Sequence, residues 1–303
     1  KMTLQQLRQV LTIAESNSMN EAAKKLFVSQ PNLSATVREV EEELGITVFM
    51  RNNRGITVTA EGEEFLGYAK QVVEQYHLLE NRYLNVESKK KFSVSMQHYS
   101  FAVKAFVQLA KEVGMDEYEF AVHETKTKEV IDNVKNLKSE IGVLYLSDFN
   151  EKVLRKLFKE CDIEFKELFT CNTYVYLWKK HPLAGQKEIT LDDLQEYPCL
   201  TFEQGVNNSF YYAEEMMSTY EYKRVIKADD RATMLNLMVG LNGFTLCSGI
   251  ISEDLNGDDY AAIPLKESEI MHIGYIKHKG TKLSKLGEIY IDAVSYTHLT
   301  LPT

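Results

Sequence analysis

The stretch from Ser18 to Thr59 constrains the fold most, because the start and stop signals of two short helices follow each other within it. Ser18 and Glu21 have the spacing of a capping box, which opens a helix. Ser29 can cap a second helix, and Gly45 can end that helix in a left-handed conformation. Two short helices joined by a tight turn are predicted.

The second predicted helix has one apolar face and one hydrogen-bonding face. Its apolar residues recur at helical spacing and should face a core: Leu33, Val37, Val40 and Leu44. The opposite face carries small or hydrogen-bonding groups near its N-terminal end: Ser29, Gln30, Pro31, Ser34 and Arg38. A helix that presents such groups from its first turns suits the DNA major groove. We therefore predict that these residues bind DNA; an ordinary solvated helix face is the alternative.

Two β-like runs follow, at residues 48–51 and 56–59, and they flank a turn-rich tip, Asn52-Asn53-Arg54-Gly55. Arg51 and Arg54 make this hairpin basic, so that it can touch phosphates or the minor groove. Unpaired surface arginines are the alternative. Together with the two helices, the hairpin predicts a winged helix-turn-helix over residues 2–59.

Charge is distributed unevenly along the 303 residues. The whole chain has a net charge of −9, which argues against nonspecific nucleic-acid binding by its entire surface. Residues 1–60 carry seven Lys and Arg against six Asp and Glu, a net charge of +1. So small a charge implies few phosphate contacts per protomer. Tight binding should then need two or more protomers on one DNA site.

A long segment without proline follows, at residues 60–88. Its apolar residues alternate at spacings of four and three: Phe65, Ala69, Val72, Tyr76, Leu79, Tyr83 and Val86. This heptad pattern predicts a linker helix that pairs with its copy in a homodimer. Packing against the chain's own core is the alternative.

From residue 92 onward, predicted strands and helices alternate, which indicates an α/β fold with a right-handed parallel sheet. The first series has strands at 92–96, 118–123 and 141–146, with helices near 102–113 and 127–138. The second series has strands at 163–168, 174–178, 199–202, 222–228 and 244–247, with helices near 209–218 and 231–239. A strand at 271–277 and a helix near 284–293 could return to the first series. Residues 295–303 fit none of these elements and are interpreted as a non-native tail.

The N-terminal motifs resemble those of the LysR-type transcriptional regulators. The matching elements are Leu7 to Ala14, Ala22-Ala23-x-x-Leu26, Val28-Ser29-Gln30-Pro31-x-Leu33-Ser34, Leu44-Gly45, Val48-Phe49-x-Arg51 and Thr59-x-x-Gly62. Ala35 stands where this family often has an arginine, and an alanine can touch a thymine methyl group but cannot read guanine.

This resemblance implies a two-lobed effector-binding domain over residues 92–294, similar to periplasmic binding proteins. Lobe I would span 92–162 and 268–294, and lobe II 163–267. The expected partners are double-stranded DNA, a small-molecule effector and copies of the chain itself. Those copies would form a dimer through the linker helix and then a tetramer. RNA polymerase is a further candidate partner.

Ligands of such folds bind at strand C-termini and helix N-termini, where free amides favour anions. We therefore expect an anionic metabolite between the lobes. The candidate residues at these positions are Gln97, His98, Tyr99, Ser100, Thr125, Thr127, Thr201 and Phe202. Phe244, in the family landmark at residues 239–244, joins them. For each residue, a capping or loop role without a ligand is the alternative.

Other functions find less support in the sequence. The four cysteines are scattered, which indicates a reducing cytoplasm and no structural zinc, and the histidines lack metal-ligand spacing. No cofactor is expected. No apolar run is long enough to span a membrane, and no cleavable N-terminal segment is seen. An α/β enzyme remains an alternative, although phosphate-loop, GxSxG, HExxH and GxGxxG motifs are absent. A solute-binding protein is a second alternative.

Overall fold

The computed structural model describes residues 1–16, 18–52, 55–83, 89–114 and 117–297, within two compact units, Lys1–Ser88 and Lys89–Thr303. The first unit contains four helices and a hairpin: α1 (Leu4–Ala14), α2 (Met19–Lys25), α3 (Gln30–Leu44), β1 (Phe49–Asn52), β2 (Gly55–Val58) and α4 (Ala60–Tyr83). This order confirms the predicted winged helix-turn-helix. Within the described residues, no helix combines the length and apolar character that a membrane span needs.

Side-chain caps set the starts of these helices. The Ser18 hydroxyl accepts the Glu21 amide at 3.2 Å at the start of α2. The Ser29 hydroxyl accepts the Asn32 amide at 3.4 Å at the start of α3. Gly45 ends α3 with φ +69°, a conformation that costs a glycine little. Helices α2 and α3 are therefore fixed largely by their own residues.

The core of the first unit lies between α1, α2 and α3. Leu33, Val37 and Val40 are buried there, as their spacing predicts, and they pack with residues of α1 and α2 such as Ile13. The prediction was wrong for Leu44, which is 38% exposed, because it lies in the last turn of α3 and does not join the cluster that buries the others.

The heptad seam of α4 divides into two parts. Phe65 and Ala69 pack within their own chain, with Ala69 against Leu7 of α1. For this half of the seam, the alternative to a partner helix, packing against the chain's own core, is therefore found. Val72, Tyr76 and Leu79 are 51%, 40% and 58% exposed. The Tyr83 side chain and Val86 lie outside the described residues. An apolar stripe is thus left uncovered on the second half of α4.

The second unit alternates strands and helices. Its strands are β3 (Lys90–Met96), β4 (Tyr118–Glu124), β5 (Ile141–Leu146), β6 (Ile163–Cys171), β7 (Tyr174–Trp178), β8 (Cys199–Phe202), β9 (Val225–Ala228), β10 (Thr245–Cys247), β11 (Tyr260–Pro264) and β12 (Met271–His278). Its helices are α5 (Ser100–Val113), α6 (Thr127–Lys135), α7 (Glu151–Glu160), α8 (Arg231–Leu241), α9 (Glu253–Asn256) and α10 (Lys285–Thr297).

These strands form a large sheet and two smaller ones. The large sheet has the order β4-β3-β5-β12-β6; β4, β3 and β5 are parallel, and β12 runs antiparallel to both β5 and β6. The second sheet is the antiparallel set β10-β7-β11, and β8 pairs parallel with β9. Strand β12 returns to the first series, as expected.

The second unit departs from the prediction in several places: the large sheet is mixed and not wholly parallel, and α7, α9 and β11 were not predicted. Strand β6 was expected in the second lobe, but it pairs along its length with β12 and forms the edge of the large sheet. Residues 295–297, predicted to start a tail, continue α10 because Val294 and Thr297 extend its buried face. Residues 298–303 lie outside the described residues.

The helix predicted at 209–218 is replaced by turns and a short 3₁₀ segment, Phe210–Tyr212. Side chains of the first lobe take the backbone oxygens that a helix would use. The Thr127 hydroxyl donates to the Tyr212 carbonyl at 2.7 Å, and the Tyr145 hydroxyl donates to the Ala213 carbonyl at 3.1 Å. Tertiary contacts therefore override local helix propensity in this segment.

Gly274 of β12 gives a test of the large sheet. A Cβ atom at this position would lie within 3.0 Å of the Lys166 backbone oxygen and of the Phe165 ring, beside the bulge where β12 and β6 shift register. Gly274→Ala should therefore lower the free energy of unfolding by about 1–3 kcal/mol. Urea titration followed by the fluorescence of Trp178, the single tryptophan, measures this change.

Gly240→Ala is the matched control, because no atom lies within 4 Å of a Cβ built there in α8. Removing a helical glycine should leave the urea midpoint unchanged or raise it, by about 0.5–1 kcal/mol in stability. Equal midpoints for Gly274→Ala and the wild type would contradict the close approach of β6 and β12.

Candidate functional site

The polar face of α3 is open at its N-terminal end. Ser29, Pro31 and Arg38 are exposed, and Gln30 and Ser34 are half-buried. The Gln30 Nε2 atom donates to the Ser34 hydroxyl at 3.2 Å, which holds the amide group against the helix. The structure thus brings together the five predicted residues of this helix on one accessible surface.

Glu41 positions the hairpin against α3. Its Oε1 atom accepts the Val48 amide at 2.7 Å and the Phe49 amide at 3.0 Å. Strands β1 and β2 then pair from Phe49 opposite Val58 to Asn52 opposite Gly55. One of the acids at the far end of α3 therefore orients the hairpin.

The two predicted wing arginines are not described in the same detail as α3. Arg51 belongs to β1, but its side chain lies outside the described part of the structure. Arg54 lies outside the described residues altogether. Contacts of the wing with DNA therefore remain predictions from the sequence.

The second unit contains a cavity of about 80 Å³ that is partly open to solvent. Its lining comes from the turn before α5, the loop after β8, helix α8, strand β10 and the start of β12. Buried apolar side chains form much of the wall: Phe101, Met234, Met238, Leu246, Ile250 and Met271. An apolar pocket with a few polar groups is typical of a small-molecule site.

A buried carboxylate closes one side of this cavity. Glu214 accepts the His98 amide at 2.9 Å and contacts the His98 Nδ1 atom at 2.8 Å. It also accepts from the Gln204 Nε2 atom at 2.9 Å, and the Gln204 Oε1 atom accepts the Thr127 amide at 3.1 Å. The His98 ring stacks on Phe202 with 3.7 Å between ring centroids.

Two further charged residues line the cavity. Glu215 is 6% exposed, and its Oε1 atom accepts the Phe202 amide at 2.8 Å. Burial, followed by the neighbouring Glu214 carboxylate, raises the pKa of Glu215 to about 8, although the Phe202 amide opposes this shift. Arg231 donates to Glu124 at 2.7 Å, so its charge is paired within the chain.

Four of the predicted effector-binding residues line the cavity: His98, Tyr99, Ser100 and Phe202. The other five lie elsewhere. The hydroxyl of Thr125 donates to Glu129 of α6, and the half-buried Thr201 lies within β8. Phe244 is fully buried in the core under β7 because it packs beside Leu177 and Ile189.

Gln97 and Thr127 were expected to bind the ligand but bind each other. The Gln97 Nε2 atom donates to the Thr127 hydroxyl at 2.6 Å, and the Gln97 Oε1 atom accepts from the Tyr99 hydroxyl at 2.7 Å. Both residues are almost fully buried. They position the turn before α5 and do not line the cavity.

Sequence reasoning missed two glutamates of the cavity wall and the polar groups of the sheet β10-β7-β11. Glu214 and Glu215 fall in the segment predicted as a helix, and Tyr176 and Thr245 lie on paired strands. Alternation along β7 could have indicated that Tyr176 and Trp178 share one face. No local signal joins these residues to His98, because the contacts form across more than 100 positions.

The cysteines lie in surroundings that suppress their reactivity. Burial raises the pKa of the Cys171 and Cys247 thiols to about 12, and Cys247 lines the cavity. In the part of the chain that the structure describes, no three His, Cys, Asp or Glu residues come together as a metal site.

Two family profiles match the chain. The profile described as bacterial regulatory helix-turn-helix protein, lysR family, matches residues 4–63. The LysR substrate binding domain matches residues 115–295. The first therefore falls on the first unit and the second on the unit that holds the cavity.

Individual relatives agree with these profiles. The chain is 28% identical over 214 residues to the HTH-type transcriptional regulator CysL of Bacillus subtilis, over 68% of this chain and 66% of that protein. It is 30% identical to the transcriptional dual regulator GltC of Bacillus subtilis, over 67% of this chain and 66% of that protein. Each match thus spans just under two thirds of the relative.

Solved structures share the fold. Full-length OxyR C199D from Pseudomonas aeruginosa superposes with a TM-score of 0.70 at 19% identity, covering 97% of this chain and 95% of that chain. At this identity the likeness concerns architecture. Because the substrate-binding profile alone matches more than half of the sequence, the chain belongs to the LysR family of bacterial transcriptional regulators.

Proposed function

We propose that this protein regulates transcription by reading a DNA sequence with α3 and by binding a small-molecule effector in the cavity of the second unit. The observation that carries the proposal is the open N-terminal face of α3, on which Gln30, Pro31, Ser34 and Arg38 lie together. Such a helix end fits the major groove, where side-chain amides pair with adenine. DNA binding would place the protein in the cytoplasm.

The wing supports this reading. Because Glu41 holds the start of β1 against α3, the hairpin follows the helix onto the same DNA. Arg51 and Arg54 would then contact phosphates or the minor groove. Removal of either arginine should weaken binding to all DNA sequences. It should also reduce, by about one, the slope of log affinity against log salt concentration.

Pairing of two chains through α4 supports tight binding. The exposed stripe of Val72, Tyr76 and Leu79 has heptad spacing, and an apolar stripe of this kind is suited to a partner helix. Two weakly basic heads on one site bind far more tightly than one. Further pairing of effector domains into a tetramer, and contact with RNA polymerase, extend the same proposal.

The cavity is the proposed effector site, because it combines an apolar wall with buried polar groups. A ligand there can change the arrangement of the two lobes only by its different affinity for each arrangement.

Selection of oligonucleotides from a random pool by the purified protein tests the proposal as a whole. A defined, preferably repeated site is expected, and the absence of any sequence preference would refute it.

Gln30→Ala tests base reading by α3. Loss of a side chain that contacts a base edge should cost about 1–3 kcal/mol on the selected site and leave binding to unrelated DNA nearly unchanged. Titration of both DNAs by fluorescence anisotropy measures the two affinities. Glu42→Gln, an exposed residue near the other end of α3, is the control and should keep the wild-type ratio. An unchanged ratio in Gln30→Ala would remove this residue from base reading.

Two neighbouring leucines of α4 test the dimer. Leu79 lies on the heptad seam and Leu78 lies off it, yet they are 58% and 59% exposed. The double variant Val72→Glu, Leu79→Glu should form monomers in sedimentation and lose tight binding to the selected site, since it places charges in the interface. Leu78→Glu should remain dimeric. A dimeric double variant would show that another surface joins the chains.

A further inference from the structure

The helix starts around the cavity already hold acceptor groups of the chain itself. Glu214 accepts the His98 amide just before α5, and Gln204 accepts the Thr127 amide at the first residue of α6. Asp230 caps α8 in the same manner. Free amides at helix N-termini are what attract anions to such sites. The chain's own side chains thus occupy the His98, Thr127 and Thr233 amides, whereas the first turn of α5, at Ser100 and Phe101, has no side-chain cap.

The charges that face the cavity are unbalanced. The Glu214 carboxylate is paired with the His98 ring at 2.8 Å, and the Arg231 guanidinium is paired with Glu124 at 2.7 Å. Glu215 has no ion-pair partner among the described residues. One carboxyl group thus remains without a counter-ion in the wall, and a second carboxylate next to it in sequence repels any further anion.

Burial makes this arrangement unfavourable for the empty cavity. The ionised form of Glu215 is destabilised, so that its pKa rises to about 8. Glu215 is then mainly the neutral acid at neutral pH, and a bound cation would stabilise its ionised form by supplying the counter-ion, with release of the proton. A buried carboxyl group that lines a cavity and lacks a cation therefore favours a positively charged ligand.

A hydroxyl group in the wall lacks a hydrogen-bond partner. Thr245 is 6% exposed, and its hydroxyl finds no hydrogen-bond partner in the described part of the chain. It lies opposite Tyr176 in the register of β10 and β7, and both residues line the cavity. Buried hydroxyl groups are rarely left unsatisfied, and since a hydroxyl both accepts and donates, a ligand with a hydrogen-bond donor can satisfy Thr245, as can one with an acceptor.

The rest of the wall is apolar and adaptable. Met234, Met238 and Met271 are at most 2% exposed and line the cavity together with Leu235. Flexible thioether side chains fill irregular space around apolar ligands. The cavity of about 80 Å³ is smaller than the ~150 Å³ cavity known to hold benzene, which indicates a short ligand.

We propose that the cavity binds a small organic cation, a protonated amine on a short apolar body, with the ammonium group at Glu215 and the apolar part against the methionines. An ammonium group has three donors and no acceptor, which matches a wall that offers a carboxylate and the Thr245 hydroxyl. The inference rests on the proposed function in taking this cavity as the effector site. It replaces the anionic effector expected from the sequence.

The test uses the full-length chain and three matched series of probes. These are n-alkylammonium chlorides from ethyl to hexyl, the carboxylates of the same chain lengths and the corresponding alcohols. Thermal shift and isothermal titration calorimetry at constant ionic strength measure binding. The ammonium series should raise the melting temperature and saturate, and the carboxylates should not bind.

Glu215→Gln should lower the affinity for the ammonium probe about 10- to 100-fold, since it removes the charge but keeps the oxygen that accepts the Phe202 amide. Glu203→Gln, an equivalent change on a residue that does not line the cavity, should bind like the wild type. Thr245→Val should weaken binding without changing charge, and it serves as the test if Glu215→Gln fails to fold.

Three results would overturn the ligand class: binding of the carboxylates, wild-type affinity for ammonium in Glu215→Gln, or no ammonium binding at millimolar concentrations. A separate DNA titration distinguishes this failure from that of the proposed function. Ammonium binding that leaves DNA affinity unchanged keeps the ligand class and refutes the effector role. Sequence-specific DNA binding without ammonium binding refutes only the ligand class.

Discussion

Glu214 buries its carboxylate between His98 and Gln204, and the geometry of the cavity depends on these contacts. The first contact fixes the turn before α5, and the second fixes the loop after β8, which in turn reaches the Thr127 amide of α6. Removing one partner of a buried charge typically costs about 3–5 kcal/mol. The same few bonds therefore position the wall of the cavity and satisfy the His98 and Thr127 amides, two groups that an anion could otherwise use.

The helix-turn-helix of the first unit could largely be predicted from the sequence, because its signals are local. Ser18 and Ser29 cap helices whose amides lie three residues away, and the spacing of Leu33, Val37 and Val40 defines the buried face of α3. Leu44 was the exception among these apolar positions. Its spacing is right, but it lies in the last turn of α3, outside the cluster that buries the others.

Most strands of the second unit could be predicted from the sequence, but its cavity could not. Fully buried β5 reads as a continuous apolar run, as expected for a central strand covered on both faces. The segment at 209–218 follows no local rule, since Tyr145 and Thr127, from distant elements, bind its carbonyl groups. Strand β6 was assigned to the wrong lobe because the local pattern of a strand does not specify its neighbour in a sheet. The polar groups of the cavity meet only after folding.

The packing of α1 on α4 bears on how the two helix-turn-helix regions of a dimer would be rotated about the α4 axis. Leu7 packs on Ala69 and Val73, and the Arg8 guanidinium lies 3.3 Å from the Glu80 carboxylate. These contacts attach the helix-turn-helix to α4. The uncovered stripe begins at Val72, beside this attachment. In a dimer joined there, each added residue between stripe and attachment would turn the head by about 100° around the helix axis. In the proposed dimer, the distance between half-sites on DNA would therefore depend on the length of α4 and not on the residues that read the bases.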